Sequence, residues 1–306
     1  MRLDHWLARL EAAREQDATS AAALCHEALH KAPGAAVARA MGLLRRLGHE
    51  GHGALATEAF ERLCADGLKQ DPGCLGRRAV AEGLLALDWL PCEPWWSGVE
   101  LVQWEPVWGG RVDTAAGLRG LCALGLVRCG DARAPLALAR LLADKESEAR
   151  RGAVRALREA PEAWALPLLA HRALLGVEDL DAQLDLLHGL LERDQSQAFH
   201  FVARELRHPR EESREAAAIA LGERGGAGGA ALLWSLLEEA LLPNQRRAAW
   251  IGLALSRCAE GRDALLAHLS VAPRHVRGEA ALALEGLRDE ELDAALAAPQ
   301  AGKART

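Results

Sequence analysis

From residue 111 to residue 298 the apolar positions fall at helical spacing. Leu180, Leu184, Leu187 and Leu191 run i, i+4, i+7, i+11, and Ala248, Ile251, Gly252 and Leu255 run i, i+3, i+4, i+7. Each stripe closes on a small residue followed by Leu, at 123–124, 156–157, 189–190, 220–221, 254–255 and 283–284, with separations of 33, 33, 31, 34 and 29 residues. That is the period of a helical repeat. Further apolar stretches begin near Pro135, Ala163, Gln197, Ala231, Asp263 and Glu291, so each unit reads as two helices that cannot bury their apolar faces alone. Stacking neighbours completes the core. Breakers at Gly130, Pro161, Pro209, Gly225 and Pro273 separate the elements, and Ser147, Ser213 and Asn244 are expected N-caps.

Composition supports helix throughout. The chain of 306 residues has no Tyr, three Phe and, by count, two Ile, while Ala and Leu dominate. Residues 1–87 keep helical spacing in a looser rhythm. Asp88 to Val112 breaks it: DWLPCEPWWSGVELVQWEPVWGGRV holds Trp89, Trp95, Trp96, Trp104 and Trp108, five of the nine tryptophans, with three prolines and three glycines. Helix is not expected there, though Val99, Leu101 and Gln103 to Glu105 could be briefly extended. Trp buries a large area and wants a partner for its indole N–H. The cluster is therefore either a plug sealing the join between the two halves or a partner-binding patch.

Residues 111–298 resemble HEAT repeats of the short bacterial type, similar to those of phycobilisome lyases. SEARRGAVRALRE (147–159), ESREAAAIALGE (212–223) and HVRGEAALALEGL (275–287) carry the second-helix pattern of an Arg followed by an Ala-rich stripe ending in Leu, and Pro135 and Pro167 stand where the family has its first-helix proline. EPVWGGRVDTAAGLRGLCALGLV (105–127) is similar to a stretch of uncharacterised bacterial HEAT-repeat proteins. Ala21, Cys25, Ala28 and Pro33 resemble a tetratricopeptide second helix, without the Trp, Gly and Tyr of the preceding one. The resemblance implies an all-α fold, a right-handed α-solenoid (α-α superhelix) of HEAT-like helix hairpins. Four segments are expected: helix pairs over 1–87, the Trp/Pro/Gly-rich insertion at 88–112, HEAT-like repeats over 113–298 and a flexible tail at 299–306. The family's second-helix Arg pairs with an Asp in the intervening turn. Arg119, Arg151, Arg214, Arg247 and Arg277 occupy similar places, Gln183 stands at the one omission, and Asp113 and Asp144 are the expected partners of the first two. The row is either structural or, in part, a set of guanidiniums for gripping carboxylates or phosphates.

Charge and motifs narrow the function. The formal net charge of -6 excludes a strongly basic nucleic-acid binder. Residues 111–160 carry ten Arg plus Lys against six Asp plus Glu, but 161–220 carry six against eleven, so no continuous positive track runs along the chain. A HEAT-like DNA-binding protein or alkylpurine DNA glycosylase is the alternative reading. The seven cysteines include no Cys-x-x-Cys pair, and Cys122 and Cys129 read as buried hydrophobes. His26-Glu27 and His49-Glu50 resemble the iron-binding pairs of HEAT-repeat deoxyhypusine hydroxylases but do not recur over 111–298; no metal and no cofactor is expected. Phosphate-loop and nucleophile motifs are missing from the sequence. No apolar run is long enough to span a membrane, and a cytoplasmic location is expected. The reading is a scaffold or adaptor, not an enzyme, that holds a protein or peptide through Arg119, Arg151, Arg214, Arg247 and Arg277 with Trp95, Trp96, Trp104 and Trp108. Oligomeric state cannot be read from the letters.

Overall fold

The computed structural model describes residues 2–176, 180–193, 195–240 and 242–298. The tail expected at 299–306 lies outside the described residues. The chain divides into two compact units, Met1–Trp164 and Ala165–Thr306. The expected boundaries at 87/88 and 112/113 therefore both fall inside the first.

The first unit runs α1 (Leu3–Ala12), α2 (Ala18–Lys31), α3 (Gly34–Arg46), α4 (Gly53–Ala65), α5 (Gly67–Gln70), α6 (Leu75–Ala86) and α7 (Cys92–Val99). A hairpin of β1 (Trp104–Val107) and β2 (Gly110–Asp113) follows, then α8 (Ala116–Arg128), α9 (Ala134–Leu142) and α10 (Ser147–Glu159). Helices α3, α6, α8 and α10 lie side by side in one row, and α2, α4, α7 and α9 pack against its members. The second unit comprises α11 (Glu162–Leu175), which begins just before the division, α12 (Leu180–Leu191), α13 (Gln195–Glu205), α14 (Glu211–Arg224), α15 (Gly226–Glu239), α16 (Pro243–Ala254), α17 (Ala259–Val271), α18 (Arg274–Ala283) and α19 (Glu290–Ala297). Here α12, α14, α16 and α18 form the row, with α13, α15, α17 and α19 packed against it. The described residues are thus all-α apart from one hairpin, and each unit is a stack of HEAT-like helix pairs. Among them no helix is long and apolar enough to cross a membrane.

The Ala-Leu stripes become the core: Ala123, Ala156, Leu157, Leu190, Ala220 and Leu221 are completely buried. Each buried Leu contributes roughly 2 kcal/mol of apolar transfer, and each Ala lets two row helices approach. Helices α10, α14 and α16 begin at Ser147, Glu211 and Pro243, at or before the expected caps, so Ser147, Ser213 and Asn244 lie inside the first turn and make no capping bond. Asp144 instead accepts from the Glu146 amide at 2.9 Å ahead of α10. Side-chain caps occur where Asp precedes a helix, Asp17 accepting from Ser20 N and Asp289 from Leu292 N, each at 3.0 Å.

The insertion is more ordered than its composition suggests. Cys92–Val99 is helical, contrary to expectation, because Pro94 falls in the first turn, where its missing N–H costs nothing. Trp104 then pairs with Asp113 and Val107 with Gly110, antiparallel, around a two-residue Trp108-Gly109 turn. Gly109 supplies the left-handed conformation that turn needs, with φ of 88°.

Candidate partner-binding surface

Five arginines on the row helices each reach back to the residue six positions earlier, in the segment that precedes the helix. Arg77 Nε donates to Asp71 Oδ2 at 2.9 Å. Arg119 Nη1 donates to Asp113 Oδ2 at 2.6 Å. Arg150 donates to the Asp144 carbonyl at 2.8 Å, Arg214 to the His208 carbonyl at 2.8 Å and Arg246 to the Ala240 carbonyl at 3.1 Å. Each guanidinium in this way gives a carbonyl or carboxylate ahead of its helix a further donor and ties the helix to the segment before it. The sequence reading located the row but not its register throughout. In α10 and α16 the gripping residues are Arg150 and Arg246, and Arg151 and Arg247 stand one position further, about 100° around the helix.

Arg119 is the most heavily engaged. Besides Asp113 it makes a two-pronged bond to Asp144, Nε to Oδ2 and Nη2 to Oδ1, both at 3.0 Å, and donates to the Leu101 carbonyl at 2.8 Å. Both Asp113 and Asp144 side chains therefore serve Arg119, and Arg150 donates instead to the Asp144 and Lys145 carbonyls. Burial alone would push the Asp113 carboxyl up. The amides of Gln103 and Ala115 and the Arg119 guanidinium outweigh it and hold Asp113 below the usual range. Arg77, unremarked in the sequence, repeats the arrangement with Asp71 and Gln103, and is 1% exposed. Arg214 also donates to the Pro209 carbonyl at 2.9 Å, and Arg277 donates forward to the Leu296 and Ala298 carbonyls at the end of α19. Gln183 donates to Glu205 at 2.9 Å. Arg247, half-buried, pairs with Glu215 at 2.6 Å.

Row helices meet through glycines. A Cβ on Gly120 of α8 would lie 2.7 Å from the Gly152 Cα of α10, and one on Gly152 would lie 2.3 Å from the Gly120 Cα. In the second unit a Cβ on Gly222 would lie 2.2 Å from the Gly252 carbonyl oxygen. On the first unit this close approach leaves an open hollow of about 380 Å³ across α6, α8 and α10. Its floor is Gly120, Gly152 and the partly buried Leu121 and Leu124, and its rims carry Arg78 on α6 with Arg151 and Arg155 on α10. Glu82 and Glu148 temper the charge, Arg78 pairing with Glu148 at 3.3 Å. Glu82 also borders a second hollow of about 270 Å³, between α3 and α6, that includes Met41, Arg45 and His49.

The four tryptophans of the expected site divide into two pairs. Trp95 is completely buried against Gly125, whose added Cβ would sit 2.2 Å from the indole. Trp96 donates its indole N–H to Asp131 at 2.7 Å, and the Arg133 guanidinium lies 4.5 Å from its ring centroid. These two fasten α7 to α8. Trp104 is half exposed and Trp108, at the hairpin tip, is completely exposed, with Val107 half exposed beside it.

The His-Glu pairs do not assemble. Glu27 pairs with Arg9 at 2.9 Å, while His26, His49 and His52 gather with ring centroids 5.0 and 5.9 Å apart. Among the described residues no three His, Cys, Asp or Glu side chains are arranged to hold a metal ion. Burial first, then the neighbouring imidazoles, holds His26 and His52 below their ordinary 6.5, and burial does the same to His268. The unfolded chain thus binds protons before the folded one does, so stability is full above about pH 6.5 and falls as pH drops below it. Thermal melts between about pH 7.5 and 5 should show this decline, and His52→Asn should shallow it. A flat profile would contradict the burial of these rings.

No protein-family model matches the chain, and no curated protein matches it. One similar solved structure is the complex of CpcE and CpcF of phycocyanin lyase from Nostoc sp. PCC7120, 18% identical, covering 81% of this chain and 89% of that one, with a TM-score of 0.33. It corrects one expectation. Because that protein is a lyase, the repeat architecture is no ground for holding that the present chain is not an enzyme.

Proposed function

We propose that the chain binds a protein partner by holding an extended, acidic and leucine-containing segment in the hollow across α6, α8 and α10. The observation that carries this reading is the pairing of a partly buried leucine floor with arginine rims. Leu121 and Leu124 bury apolar side chains of the segment, and Arg78, Arg151 and Arg155 take its carboxylates, bidentately where the geometry of the fork allows. The mixed charge of the rims, with Glu82 and Glu148 among them, suits a peptide better than a polyphosphate backbone. We assign Arg151 to this surface, and leave Arg77, Arg119, Arg150, Arg214 and Arg246 to the turns they hold. The exposed Trp104 and Trp108 are further contact residues in this reading, and on the second unit, taken by itself, Arg247 is a contact for a partner's carboxylate.

The test is a selection of random peptides on the full chain, followed by titration of the winners. Peptides rich in Asp or Glu with Leu should be recovered. Arg151→Glu with Arg155→Glu should weaken them roughly 30-fold, about 2 kcal/mol, with little change in melting temperature. Peptides that bind the double variant as tightly as the parent would refute the assignment.

A further inference from the structure

We propose that Cys92 and Cys129 form a modification site, a dithiol that closes to an intramolecular disulfide when the chain meets a peroxide. Cys92 is the first residue of α7 and Cys129 follows the last residue of α8. The Cys92 thiol donates to the Cys129 sulfur at 2.7 Å, only about 0.7 Å beyond the ~2.05 Å of a bonded pair. Both residues are partly exposed, whereas Cys25, Cys74 and Cys122 are buried. Among the described residues no other hydrogen bond joins two cysteine sulfurs.

The surroundings hold the pair in register. Trp95 is wedged against Gly125 one turn before Cys129, and Trp96 donates to Asp131 two residues after it. The start of α7 is thereby fixed against the end of α8 whether or not the sulfurs are joined, so closure needs little backbone movement. Burial, then the Cys92 hydrogen bond, pushes the Cys129 thiol up to about 12. In this proposal Cys92 is the sulfur that meets the oxidant and Cys129 the one that closes the bond.

The chemistry balances. The Cys92 sulfur attacks one oxygen of hydrogen peroxide, the O–O bond breaks, and Cys92 becomes a sulfenic acid with release of one water. The Cys129 sulfur then attacks Cys92 Sγ, forming the S–S bond as the S–O bond breaks. The departing hydroxide takes the Cys129 proton and leaves as a second water. Two thiols are oxidised, one peroxide is reduced, and a thiol reductant reverses the step. Closure makes a covalent loop of residues 92–129, which carries the hairpin with Trp104 and Trp108.

The test treats the full chain with stoichiometric hydrogen peroxide and maps the products by mass spectrometry without reduction. The expected result is a Cys92–Cys129 linked peptide two hydrogens lighter than its parts and a fall from seven titratable thiols to five. Melting temperature should rise by roughly 5 °C, reversed by dithiothreitol. Cys92→Ser and Cys129→Ser should each lose both the linked peptide and the rise. Scrambled links among all seven cysteines, or separate sulfinic acids on Cys92 and Cys129 with no link, would overturn the proposal. Because the linked peptide is read on the unaltered chain, the outcome does not depend on how well the serine variants fold.

Discussion

Replacing Arg119 with alanine should lower the unfolding free energy by about 3–5 kcal/mol, read as a fall in the urea midpoint at unchanged slope. An exposed ion pair would contribute at most ~1 kcal/mol, but this one is not exposed: the Arg119 and Asp113 side chains are 4% and 2% accessible. Removing the guanidinium leaves two carboxylates and the Leu101 carbonyl without their donor, and Asp113 buried with only the Gln103 and Ala115 amides. An uncompensated buried charge is worse than no charge at all. The double variant Arg119→Met with Asp113→Asn should therefore recover part of the loss. The pH dependence has a definite sign. Asp113 is held low in the parent, so its contribution is present above the ordinary carboxylate value of 3.8 and lost as pH falls through the lower folded value. In Arg119→Ala burial dominates and the carboxyl rises, so the gap between variant and parent should narrow in acid. A loss below ~1 kcal/mol would show that the row of turn-gripping arginines is not structural.

Gly152→Leu should be nearly as damaging, at roughly 3 kcal/mol or more. Propensity alone argues the other way, since Leu in place of a helical Gly gains close to 1 kcal/mol. Packing decides the sign. The first atom of the new side chain would lie 2.3 Å from the Gly120 Cα, and neither backbone can yield without parting α8 from α10. Gly278 of α18 is the control, because a Cβ there meets nothing within 4 Å. Gly278→Ala should gain roughly 0.5–1 kcal/mol. If both substitutions stabilised the chain, the close approach of the row helices would be wrong, and with it the floor of the hollow.

What could be read from the letters was what repeats locally. The Ala-Leu stripes fixed the helices because their period coincides with the turn of the helix, and Gln183 was recognised as the gap in the arginine row. Register failed at Arg150-Arg151 and Arg246-Arg247, where adjacent arginines both fit a loose 31- to 34-residue spacing. The six-residue reach to the preceding turn, clear at Arg77, Arg119 and Arg214, separates them. In the insertion, three prolines and three glycines argue against helix, yet Pro94 falls in a first turn, where proline is tolerated, and Trp108-Gly109 carries the turn signal. The hollow depends on Gly120 meeting Gly152 across 32 positions, and the thiol site on Cys92 meeting Cys129 across 37. Neither pair has a local spacing to betray it.

Photo-crosslinking of a selected acidic, leucine-containing peptide to the full chain, with the attachment points mapped by mass spectrometry, tests the binding account most directly. The account predicts attachment to Leu121, Leu124, Arg151 and Arg155, suppressed by Arg151→Glu with Arg155→Glu. Attachment confined to α2, α4 or α9, or undiminished in the double variant, would contradict it.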